Sequence, residues 1–72
     1  MQGSGVAQRD LRRVKRAAEK LEAARVELRN AIYAASQSGE SIRDIAPYAG
    51  VSPTRCWEFI REARELLRES EQ

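Results

Sequence analysis

From about residue 8 to residue 36 the chain carries no Gly and no Pro, and one apolar stripe runs through it. Leu11, Val14, Ala18, Leu21, Arg25, Leu28, Ile32 and Ala35 recur at alternating steps of three and four. This is heptad spacing, and Ala, Leu, Arg and Glu, all strong helix formers, fill the positions between. The pattern predicts one long helix over residues 8–36, preceded by a flexible segment over residues 1–7. Its opening Met1-Gln2-Gly3-Ser4-Gly5 need not be native.

Two shorter helices follow from local signals. Ser36-Gln37-Ser38-Gly39 stops the first helix, with Gly39 as its C-terminal cap. Ser41 is an N-cap, Asp44 three residues on makes a pair resembling a capping box, and Ile42, Ile45, Ala46 and Ala49 form an apolar face. This predicts a second helix over 42–49, with Gly50 as the turn residue able to take positive φ. Pro47 falls inside that helix, removes a bond to the Arg43 carbonyl and predicts shortening or distortion. Ser52 caps a third helix over 53–69, with Pro53 at its first position. Cys56, Phe59, Ile60, Ala63, Leu66 and Leu67 give this helix a core face. The expected architecture is all-α: a long helix, then a helix-turn-helix unit over 37–69.

Composition narrows the function. At 72 residues the chain is one small domain with a modest core. With Cys56 as the only cysteine and no His, neither an intrachain disulfide nor a zinc site is expected, and no other metal or cofactor is implied. Self-association is the remaining route to added stability. No apolar run is long enough to span a membrane and no secretory signal is evident, so a cytoplasmic, nucleoid-associated location is expected.

The formal charge of +2 conceals an asymmetry: residues 1–36 hold eight basic and four acidic side chains, residues 37–72 five basic and seven acidic. Most basic residues are Arg and Ala is abundant, which fits a GC-rich bacterial or phage coding bias. Arg9, Arg12, Arg13, Arg16 and Lys20 lie opposite the heptad stripe, so one face can pair helices while the other meets phosphates or is merely solvated.

The stripe has two uses. It can pack on the chain's own third helix, or it can pair two copies. The third helix is shorter than the stripe, so a homodimer through Leu11, Val14, Ala18, Leu21 and Leu28 is expected. With Leu11 at heptad position a, Asp10 falls at g and Lys15 at e, a pair that attracts across a parallel dimer, and Arg25 falls at a costly a position able to fix register.

Ile42, Ile45-Ala46, Gly50-Val51-Ser52, Cys56 and Phe59 together resemble the bacterial helix-turn-helix pattern of repressors, resolvases and the fourth conserved region of sigma factors. The resemblance covers about 40 residues, from Leu28 to Leu67, with the segment around Ile32 as the first helix of a three-helix unit. It implies a third helix that enters the DNA major groove, with Ala46 allowing close helix approach, Gly50 making the turn and Val51 plugging the core. Cys56 stands where the family usually has Val or Ile. Pro47 departs from the pattern and puts the presentation of the third helix in doubt.

With Cys56, Ile60, Ala63 and Leu67 inward, Thr54, Glu58, Arg61 and Glu65 point outward, and Arg55 and Trp57 flank them. The resemblance then makes Thr54, Arg55, Glu58 and Arg61 the base-reading candidates. Arg suits guanine O6 and N7, Glu the cytosine amine, and the Thr methyl a thymine methyl. Ser52, Pro53 and the first-turn N–H groups face phosphate, as does Arg43. Each has a plainer use. Arg55 and Arg61 can bridge Glu58, Glu62 or Glu65, Tyr48 can pack on the turn, and Trp57 can edge the core. Glu58 is an acid on a surface meant for a polyanion.

The expected function is a small, sequence-specific, dimeric transcriptional regulator of double-stranded DNA, and not an enzyme. The alternatives are an architectural DNA binder of weak sequence preference and a protein-interaction module on the same fold.

Overall fold

The computed structural model describes residues 4–71. Three helices are present, α1 (Ser4–Gln37), α2 (Ile42–Ala49) and α3 (Pro53–Ser70), with no strand among the described residues. The fold is all-α in the expected order. α1 begins at Ser4, earlier than the expected residue 8, so residues 4–7 are helical; residues 1–3 of the expected flexible segment lie outside the described residues.

Both interhelical turns close the same way. At the end of α1 the Glu40 N–H donates to the Ala35 carbonyl at 3.1 Å and the Gly39 N–H to Ser36 at 3.2 Å, with Gly39 at φ +101°. At the end of α2 the Val51 N–H donates to Ala46 at 3.3 Å and the Gly50 N–H to Pro47 at 3.3 Å, with Gly50 at φ +72°. Each is a Schellman closure, in which a left-handed residue lets two N–H groups turn back onto the last carbonyls.

The starts are equally local. Ser41 Oγ accepts from the Asp44 N–H at 3.2 Å, and Ser52 Oγ accepts from the Arg55 N–H at 3.1 Å. α2 is short and runs through Pro47 to Ala49, so proline neither ends it nor moves its boundary. At the sixth helical position Pro47 forgoes a single intrahelical bond, and the Gly50 closure lies three residues beyond it.

Ile32 from α1, Ile45 and Ala46 from α2, and Cys56, Phe59 and Ile60 from α3 form the buried cluster, with Leu28, Ala35, Ile42, Ala49 and Val51 packed against it. Ala63 is also buried. Leu66 and Leu67, expected in the core, are instead 42% and 48% exposed. α2 is only 8 residues long, so the three-helix contact ends near Ala63 and the last turns of α3 outrun it.

α1 is therefore two different objects. Its C-terminal part delivers Leu28, Ile32 and Ala35 to the chain's own core. Its N-terminal part, residues 8–24, is exposed throughout, with Leu11 67%, Val14 63% and Leu21 72% exposed. Arg25 and Arg29 mark the boundary. Arg25 Nη1 donates to Glu62 Oε1 at 3.1 Å, and Arg29 Nη1 to Glu62 Oε2 at 2.9 Å. Arg25 also donates to Glu22 through Nε and Nη2, at 3.0 and 2.9 Å. The expected register-fixing role of Arg25 in a dimer seam thus gives way to a tie between α1 and α3 within one chain.

Candidate nucleic-acid interface

The outward face of α3 is set by what its inward face buries. Cys56, Phe59, Ile60 and Ala63 turn into the core, which leaves Thr54, Glu58, Arg61 and Glu65 exposed, as the helical spacing requires. Ser52 and Pro53 are exposed at the helix start and Arg43 is exposed on α2. These side chains are held by two capped helices and one Schellman turn.

The first turn of α3 has few free N–H groups. Pro53 has none, the Arg55 N–H goes to Ser52 Oγ, and the Cys56 N–H goes to the Ser52 carbonyl at 3.0 Å. Of residues 53–56 only Thr54 keeps a backbone donor for an anion, backed by the positive end of the helix dipole.

Arg55 and Glu58 are not independent. Arg55 Nη1 donates to Glu58 Oε1 at 3.0 Å, and the Arg55 guanidinium lies 4.3 Å from the centroid of the buried Phe59 ring. This arrangement aligns Arg55 along α3, over the ring, and neutralises it with the neighbouring acid. Arg61 makes no hydrogen bond or ion pair among the described residues; the acids within helical reach of it, Glu58 and Glu65, pair with Arg55 and Arg68. Of the two arginines proposed to read bases, Arg61 is free and Arg55 is engaged.

The remaining basic candidates, Arg9, Arg12, Arg13 and Arg16, together with Lys20, stand exposed on the uncovered part of α1. They lie on the part of α1 that neither α2 nor α3 covers.

Two aromatic residues sit nearby. Trp57 is 49% exposed and lines a shallow groove of ≈ 510 Å³ with Ile42, Arg43, Pro47, Val51 and Pro53. Tyr48 is 95% exposed and stands at the edge of a larger groove of ≈ 740 Å³ between α1 and α2. Tyr48 therefore does not pack down on the turn.

Burial raises the Cys56 thiol above its ordinary value, in keeping with a structural rather than a reactive cysteine. Hydrogen bonds from Arg25 and then Arg29 lower the Glu62 carboxyl, and the bond from Arg25 lowers Glu22. Those same two bonds, to Glu22 first and Glu62 second, raise Arg25. Among the described residues no cluster of His, Cys, Asp or Glu could hold a metal ion, and no helix is long and apolar enough to cross a membrane. No known protein family, curated protein or solved structure matches the chain.

Proposed function

We propose that this chain is a small sequence-specific DNA-binding protein, a transcriptional regulator that inserts α3 into the major groove and works as a homodimer joined through α1. The observation that carries the reading is the outward face of α3, where Thr54 and Arg61 are exposed beside a capped helix start. The sequence resembles the helix-turn-helix pattern of bacterial repressors at Ile45-Ala46, Gly50-Val51-Ser52 and Cys56. The basic side chains of the uncovered α1 segment add phosphate contacts that carry no sequence information. A nucleoid-associated, cytoplasmic setting follows from that role.

The decisive experiment is selection of bound sequences from a random duplex pool, repeated with Thr54→Ala and Arg61→Ala. An enriched motif that loses positions in the two variants supports the reading. No enrichment removes sequence-specific readout, and a motif indifferent to both variants removes this face of α3.

A second reading is favoured by the exposure of two aromatic side chains, Tyr48 beside the α1–α2 groove and Trp57 on α3. There the same fold serves as a protein-binding module. Absence of any affinity for duplex DNA at low salt supports that reading over the first.

A further inference from the structure

The expected dimer stripe occupies heptad positions a and d of α1. The structure takes the a positions out of play where the core begins, since Arg25 is tied to Glu62 and Ile32 is 2% exposed. A different face stays open along almost the whole helix. It holds Val14 and Leu21, 63% and 72% exposed, the half-buried Leu28, and the exposed Ala17, Ala24 and Ala31. At its C-terminal end this face runs into the ≈ 740 Å³ groove beside α2, lined by Leu28, Ala31, Ala35, Ile45, Tyr48 and Ala49.

We infer that a second copy of this chain packs antiparallel along this face, its N-terminal α1 segment lying in the groove beside α2. This rests on the homodimer of the proposed function, not on its DNA binding. Three relations select the occupant and its direction. First, the face is narrow and carries no aromatic residue, which suits a helix seam rather than a membrane surface. Second, the register that sets Leu21 against the partner's Ala24 also sets Val14 against the partner's Ala31 and Leu28 against the partner's Ala17. Every bulky residue meets a small one, and the axes can approach to the short end of the usual ~8–10 Å.

Third, the flanking charges fit only this direction. Lys20 faces the partner's Glu27 and, by the two-fold symmetry, Glu27 faces the partner's Lys20. No other ion pair engages either side chain among the described residues, and both are exposed. A parallel pairing on the same face would set Lys20 beside the partner's Arg25 and stack Leu21 on the partner's Leu21. Sliding the antiparallel pair by one heptad would oppose Lys20 to the partner's Lys20.

Sedimentation equilibrium of the full chain without DNA tests the inference, with helicity by circular dichroism checking each variant's fold. The wild-type chain should dimerise. Ala24→Arg should raise the dissociation constant at least about a hundredfold, since the added charge enters the seam twice. Ala23→Arg, one residue away and off the face, should leave it unchanged. Lys20→Glu should weaken the dimer about tenfold or more, and Lys20→Glu with Glu27→Lys should restore it.

A chain that stays monomeric at millimolar concentration overturns the inference, as does a dimer indifferent to Ala24→Arg. A dimer weakened by Lys20→Glu and not restored by the double reversal overturns the antiparallel register. Because no DNA is present, each outcome is separate from failure of the motif selection above.

Discussion

Arg29 and Glu62, 33 positions apart in the chain, meet at 2.9 Å, and the same carboxylate receives Arg25 through its other oxygen. One acid on α3 thereby holds two successive turns of α1. Hydrogen bonding to these arginines lowers the Glu62 carboxyl, and Arg25 lowers Glu22. A lowered folded value means that the unfolded chain binds protons more readily, so this stabilisation is complete above the ordinary carboxylate range and is lost as pH falls through the lowered values. Thermal unfolding followed from neutral pH downward should hold steady to about pH 5 and then decline. Glu62→Gln should flatten that decline. An unchanged acid profile in the variant would remove Glu62 from the account.

Gly50 sits at φ +72°, and a Cβ built there meets nothing within 4 Å. The position therefore demands a backbone conformation, not space. Gly50→Ala should cost about 1–2 kcal/mol from left-handed strain alone, and Gly50→Asn distinctly less. Urea denaturation of the two variants measures the difference. Equal losses would point to packing rather than strain.

Cys56 is 0% exposed among Ile32, Ile45, Ala46, Phe59 and Ile60. Cys56→Ser places a hydroxyl in this apolar cluster and should destabilise the fold by about 1–3 kcal/mol. With the thiol buried and its ionisation suppressed, labelling by a thiol reagent should proceed only as fast as the protein opens. Rapid labelling under native conditions would contradict the burial.

Glu58 holds Arg55 and adds negative charge to the surface proposed to meet DNA. Glu58→Gln should tighten binding to random duplex and steepen its salt dependence by up to about 0.9 in the log–log slope, equivalent to one more phosphate contact. If Glu58 reads a cytosine, the same variant should also lose preference at one position of the selected motif. Weaker binding to random duplex would place Glu58 in support of Arg55 instead.

The helices were legible because their signals are local. Ser41, Ser52, Gly39, Gly50 and Pro53 act on backbone groups within a few residues of themselves, so a linear reading finds them. The core positions Ile45, Ala46, Cys56 and Ile60 follow from helical period. The Glu62 tie was not legible, because a partner 33 or 37 positions away depends on how α1 and α3 cross. The same crossing leaves Leu66 and Leu67 half-exposed, where period alone puts them inside. For the proposed interface, spacing correctly placed Thr54, Glu58 and Arg61 outward. It could not distinguish the engaged Arg55 from the free Arg61, since that depends on which arginine of α3 each of Glu58 and Glu65 takes.

The Glu62 tie also marks where α1 leaves the three-helix unit. Beyond Arg25 the exposed segment of residues 8–24 extends about 25 Å as a single stiff rod. Because α1 is one continuous helix, the packing of Leu28, Ile32 and Ala35 on the core fixes where the far end of the rod carries Arg9, Arg12 and Arg13.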